Sequence, residues 1–369
     1  MNVFTMYLVT GSNLFGQWPS FSSVISQFQN INMCGLKEIP FDVASAELLE
    51  ANWSYNIFQS DEGFFISGAW YGNENEYKKL LLPEDCEGSG SKDLSITGCD
   101  YNLIIISGRH LTLWVIDLEN EKNVKKLKFN ETPLESSLKK VRRDFGVKRV
   151  MKTNNLFVCL TDEGLLYCGI PPILLETSDC VGKICDIQCG YEHFMLLTDA
   201  GRVYTWGNGR RLQLGHGDLE SLDLPTEVEA LAGIKIIKIS AGGWHSLALS
   251  EHGDLYAWGW NDTGQLGIKN DEKEQGNIKS YALPTVVDIY DDDNEQINLN
   301  VTNMACGSRH TALTLEDNTV WTTGNNKYGQ LGFPIQNYDT VYYFKKSYQS
   351  TCNVELTCGP WCTVLKLKC

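Results

Sequence analysis

Histidine and cysteine recur in step through the second half of the chain. His193, His245 and His310 each stand three residues after a glycine, and Cys189, Cys306 and Cys358 each stand one residue before one. Imidazole and thiolate together suit a metal site or a nucleophile with its base. The regular recurrence argues against both. A catalytic or metal-binding group is needed once, whereas a packing group is needed in every copy. The histidines are therefore expected to be structural, bonding a neighbouring backbone group. The cysteines occupy a position that Ala241 also fills, as small buried side chains do. Cys180, Cys185 and Cys189 are too loosely spaced for zinc, and no CxxC pair occurs. No P-loop, GxSxG, HExxH or dinucleotide fingerprint appears. The glycines of GNGRRLQLG at 207–215 belong to a repeated frame rather than a phosphate loop. Acidic pairs fall in loops and tails, so no general acid–base pair can be assigned. The expectation is no catalytic residue, no metal and no cofactor: a non-enzyme.

What positions these residues is a phrase repeated three times. ISAGGWHSLALSEHGDLYAWGWNDTGQLG at 239–267 matches MACGSRHTALTLEDNTVWTTGNNKYGQLG at 304–332 and IQCGYEHFMLLTDAGRVYTWGNGRRLQLG at 187–215. The leading glycines are spaced by 52 and then 65 residues. Self-similarity at such a period signals a repeat architecture. Within SLALSEHGDLYAWG, Leu247 and Leu249 share one face, and Leu255 and Ala257 alternate with Tyr256 and Trp258, the pattern of a β-hairpin. Its turn carries Gly253, matched by Gly201 and Gly164, where positive φ is required. Asn318 fills the same place and tolerates that geometry next best. Trp206, Trp258 and the region of Trp321 recur too and belong to packing.

Weaker copies at 156–169, 53–68 and 98–116 bring the units to seven, near residues 52, 99, 150, 190, 242, 307 and 359. The last, CGPWCTVLKLKC, is a half unit, and YLVTGSNLFGQW at 7–18 matches its missing half. The expected fold is all-β, a seven-bladed β-propeller in one monomeric domain. N-terminal strands complete the C-terminal blade, which leaves no free edge. Blades are expected near 19–70, 71–116, 117–170, 171–215, 216–267, 268–332, and 333–369 with 1–18.

The 369 residues carry a formal net charge of −15, which opposes direct DNA binding and suits a basic partner. No stretch approaches 18 apolar residues and no secretory signal opens the sequence, so no membrane association is expected. The thirteen cysteines are expected to stay reduced in a nuclear or cytoplasmic compartment.

CGSRHTALT, the turn glycine, an aromatic before glycine, and GQLG together resemble the regulator of chromosome condensation family of seven-bladed propellers. The likeness is strong over 187–369 and 7–18 and weak over 19–150. GGWHS, WGWNDTGQLG, CGSRHTA, KYGQLG and CGPW look like that family's domain-containing protein 1 subgroup. The resemblance implies a nuclear, chromosome-associated scaffold. It further implies that such a scaffold binds a JmjC-type 2-oxoglutarate oxygenase acting on histones and contributes to chromatin regulation and chromosome segregation. The alternative it implies is guanine-nucleotide exchange on a Ran-type small GTPase. The founder's projecting wedge and basic tail have no counterpart that the sequence locates.

The variable positions carry the candidate site. After each leading glycine come Tyr191–Glu192, Gly243–Trp244, Ser308–Arg309 and Pro360–Trp361. A closed ring places these turns around one mouth, with Trp244, Arg309 and Trp361 in stacking reach of one another. They form a partner-binding face or plug the channel; Trp and Arg are the commonest interface hot spots. The stretch 268–298 holds Asp271, Glu272, Glu274, Asp291, Asp292 and Asp293: an acidic arm for a basic partner such as a histone, or a solvated loop. KKVRRDFGVKR, with Lys139, Lys140, Arg142 and Arg143, reads as a nuclear localisation element or an exposed connector.

Overall fold

In the computed structural model, residues 5–20, 22–31, 46–71, 73–83, 94–98, 101–107, 112–129, 146–153, 156–269 and 279–368 are described. Their 28 strands form seven antiparallel sheets of four, the blades of a closed propeller. Blades 1 to 6 span 47–79, 94–128, 147–174, 184–227, 236–286 and 301–349. Blade 7 joins the two ends of the chain. Its inner strands are Asn353–Gly359 and Cys362–Lys368, and its outer strands are Thr5–Ser12 and Val24–Asn30. The closing register runs from Thr5 opposite Lys368 to Gly11 opposite Cys362.

Each expected blade segment stops after the third strand, so the fourth was allotted to the next segment. The observed blades are offset by that one strand. The repeated phrase ends at GQLG because the outer strands, such as Leu222–Glu227 and Ser280–Val286, face solvent and have little packing to match.

The core is a set of clusters between neighbouring blades. Leu247, Leu249 and Leu255 of blade 5 pack on Met304, Leu313 and Trp321 of blade 6, and equivalent clusters follow around the ring. Trp206, Trp258 and Trp321 are all buried there.

A polar lock recurs at each strong repeat. His193 bonds Ser246 of the next blade at 3.0 Å, His245 bonds Thr311 at 3.0 Å, and His310 bonds Thr363 at 3.2 Å. Each hydroxyl donates back to a carbonyl of the previous blade: Ser246 to Gln213, Thr311 to Gln265, Thr363 to Gln330. The hydroxyl's one proton is thus committed, so the histidine Nε2 donates. The expected partner was a backbone group; the observed one is a side-chain hydroxyl, because Ser246, Thr311 and Thr363, each the second residue of its blade's second strand, face the preceding blade. Burial pushes His193 and His245 down to about 3 and His310 to about 4, so all three are neutral.

Inner strands from all seven blades line a central channel of about 1100 Å³. Cys189, Cys306 and Cys358 face it, and burial pushes the first two up to about 12. Arg149 meets Asp186 at 3.3 Å and Lys238 donates to Asn303 at 2.9 Å, each pair joining neighbouring blades. Lys366 of blade 7 lies 3.7 Å from Glu355 and 3.8 Å from Glu47 of blade 1. Eight described cysteines are free thiols. Cys352 departs from the expectation and is disulfide-bonded.

Candidate protein-interaction face

The turns between first and second strands, and the loops between third and fourth, gather at one end of the propeller. The turns hand hydrogen bonds around the channel mouth. Tyr191 N donates to Gly243 O at 3.1 Å, Gly243 N to Gly307 O at 3.2 Å, and Ser308 N to Pro360 O at 2.9 Å. The turns approach too closely for a side chain at their glycines. A Cβ on Gly242 would lie 2.1 Å from the His245 ring and 2.6 Å from Gly307 O.

On this rim the predicted residues sort into two groups. Trp244 takes the edge of Tyr191 at 5.0 Å and tilts against Trp260 at 5.3 Å. The Arg211 guanidinium lies 3.1 Å from the Trp260 ring centre and 4.5 Å from that of Trp244. Arg309 approaches Trp260 from elsewhere, at 5.5 Å, and pairs with Asp262 at 3.3 Å. Tyr191 also bonds Ser308 through its hydroxyl, and Glu192 is exposed and accepts from Asn208 at 2.9 Å. Trp361 belongs to the second group, with Trp53 at 5.9 Å and Tyr328 at 5.3 Å. Trp53 in turn contacts Tyr328 at 5.5 Å and Phe15 at 5.6 Å. Trp244, Arg309 and Trp361 share the rim but do not stack on one another. Trp260 stands between the first two, and Trp361 turns to blades 6 and 1. Trp244, Trp260, Trp53 and Trp361 are all partly exposed, and Trp53 and Trp361 also line the channel.

Sequence reasoning missed Arg211, Trp260, Tyr328, Phe15 and Trp53. Arg211, Tyr328 and Phe15 lie in third-to-fourth loops, and Trp260 ends the third strand of blade 5. Aligning GRRLQLG, NDTGQLG, NKYGQLG and NLFGQW puts Arg211, Thr263, Tyr328 and Phe15 in one column. Each residue of that column leans on the following blade: Arg211 on Trp244, Thr263 toward the Arg309 carbonyl, Tyr328 on Trp361, Phe15 on Trp53. Trp53 was hidden by the divergence of blade 1.

The acidic residues Asp291, Asp292 and Asp293 form a tight turn. Asp291 accepts from the amides of Asp293 at 3.0 Å and Glu295 at 2.8 Å, and Asp292 pairs with Lys345. Asp271, Glu272 and Glu274 lie outside the described residues. So do Lys139, Lys140, Arg142 and Arg143. Among the described residues, no group of three or more His, Cys, Asp or Glu could hold a metal ion.

The regulator of chromosome condensation (RCC1) repeat matches residues 200–249 and 252–314, and a second model of that repeat matches 184–213, 236–265 and 301–330. Residues 184–330 are built of RCC1 repeats. It is 35% identical over 214 residues to mouse RCC1 domain-containing protein 1, covering 49% of this chain and 55% of the mouse protein. To protein pim1 of Schizosaccharomyces pombe it is 31% identical over 271 residues, 66% of this chain and 49% of pim1. The chain thus spans about half the length of the curated relatives it matches. Two solved structures share the fold at 15% identity. Human WBSCR16 superposes with a TM-score of 0.73 over 99% of both chains. Prp20p of Saccharomyces cerevisiae, described with its binding to Gsp1p and histones, gives 0.72 over 100% of this chain and 93% of Prp20p.

Proposed function

We propose that this RCC1 propeller is a non-enzymatic interaction platform that captures a protein partner on the rim built by Trp244, Trp260, Arg309 and Trp361. The carrying observation is the concentration of partly exposed tryptophan and arginine at one mouth of a rigid ring. Such residues dominate the binding energy of protein interfaces. The buried histidines, lowered to about 3–4 with Nε2 committed to a hydroxyl, and the buried thiols raised to about 12 support the scaffold reading, since so weak a base carries no proton near pH 7 and an undissociated thiol is a poor nucleophile. The subgroup likeness favours a JmjC-type histone-modifying oxygenase as the partner and the nucleus as the place, with chromatin regulation and chromosome segregation as the outcome.

The test is affinity capture of tagged protein followed by mass spectrometry. Wild type should retain the oxygenase, and Trp244→Ala with Trp361→Ala should lose it while the thermal transition persists. Capture that survives both substitutions would remove the rim from the reading. The second reading, exchange on a Ran-type GTPase, is favoured by the fold shared with Prp20p, which binds Gsp1p. Release of labelled nucleotide from such a GTPase by purified protein decides it, since a platform leaves the rate unchanged.

A further inference from the structure

The two aromatic groups on the rim differ in one respect. In the first, the chain supplies its own cation: Arg211 lies over Trp260 and Trp244. In the second, the same repeat column holds Tyr328 and Phe15, and these pack on Trp53 and Trp361 with interplanar angles of 64–73°. Edge-on packing leaves part of each indole face uncovered, and all four rings are partly exposed. Among the described residues, Lys327 stands 5.4 Å from the centre of Tyr328, and no cation lies over Trp53 or Trp361.

We propose that the cluster of Phe15, Trp53, Tyr328 and Trp361 receives an arginine side chain from a basic segment of the partner protein, its guanidinium stacking on indole as Arg211 stacks in the other group. This rests on the platform reading and gives it a chemistry. Arginine fits better than lysine because its cation is planar, delocalised and weakly hydrated, so it sheds water readily on stacking. The net charge of −15 draws a basic segment toward the ring before contact. The receiving rings are held in place. Ser12 N donates to Trp361 O at 2.8 Å, and Gln17 donates to Trp53 O at 3.2 Å, so little ordering remains on binding.

The experiment uses the full chain and a fluorescent twelve-residue glycine–serine peptide carrying three spaced arginines. Matched peptides replace arginine by lysine, citrulline or leucine. The arginine peptide should bind saturably, with the citrulline peptide about tenfold weaker, in the range of a desolvated cation–π contact. Trp53→Ala and Trp361→Ala should each weaken the arginine peptide by about as much. Trp53→Phe, which keeps a ring, should retain part of the affinity, and thermal melts establish that each variant is folded. Equal binding of the citrulline or leucine peptide would overturn the assignment. So would self-association of the chain that Trp361→Ala abolishes, because a second copy would then be the occupant. If no arginine peptide binds but Trp53→Ala still loses the captured partner, the arginine assignment falls and the platform stands. If capture is unaffected as well, both fall.

Discussion

Replacing His245 by Gln should change how stability depends on pH, and the size of the change follows from the lock. His245 is fully buried, and its Nε2 donates to Thr311, whose proton is committed to Gln265. Its Nδ1 has no partner, so a second proton there would be a buried, unpaired charge. Burial accordingly lowers the group from 6.5 to about 3. The native ring therefore stays neutral while the unfolded chain takes up a proton below pH 6.5. The contribution is intact above pH 6.5 and is lost as pH falls toward 3, at about 1.4 kcal/mol per pH unit. By pH 4.5 the loss reaches about 2.7 kcal/mol for this histidine. Glutamine can donate to Thr311 but fills the site less well, which costs about 1–2 kcal/mol at pH 7.5. The two stability curves should converge and cross at about pH 5–6. Glu50 runs the other way. Burial pushes it up to about 7, so its contribution is present below 4.5 and fades as pH rises through 7. It is common to both proteins and cancels in the difference. Urea unfolding at half-unit intervals from pH 7.5 to 4.5 measures the curves. Parallel curves across that range would refute the reasoning, since they would mean that His245 takes up its proton equally in both states.

Three further outcomes follow from the packing. Gly242→Ala forces a Cβ against the His245 ring and the Gly307 carbonyl and should cost about 3 kcal/mol or more in urea unfolding. Trp258→Phe keeps a ring in the blade 4–5 core but leaves Gln213 without the indole donor at 2.9 Å; a loss of about 1–3 kcal/mol is expected by the same measurement. Cys306, pushed up to about 12 by burial, should resist iodoacetamide at pH 7.5 in native protein and react after unfolding, as followed by mass spectrometry.

The ring was legible because the repeat encodes contacts between blades as well as within them. Gly242, His245 and Gln265 recur since each junction among the strong repeats needs the same close approach and the same lock. Closure was legible for the same reason: YLVTGSNLFGQW could be recognised as the third strand and loop of a unit that ends in CGPW. Outer strands escaped because one side of Leu222–Glu227 meets water and only a broad pattern is required of it. The rim was half legible. Trp244 and Trp361 stood out by varying within a fixed frame, whereas Arg211 and Tyr328 sat in a motif that looked like scaffold. Their partners lie across a blade junction, and sequence spacing within one repeat says nothing of what the next blade presents.

Blade 7 also sets a clock. Thr5 pairs with Lys368, 363 positions later. At roughly 5–20 residues per second, the first strand emerges about 20–70 s before the strand it must join. Throughout that interval Tyr7 and Val9, fully buried in the finished ring, have no blade to enter. Six blades can stack as they appear, each against its predecessor, but the molecule stays an open arc until the last strand arrives. For this chain the hazard of synthesis is concentrated in one early, apolar strand kept waiting for a partner made more than three hundred residues after it.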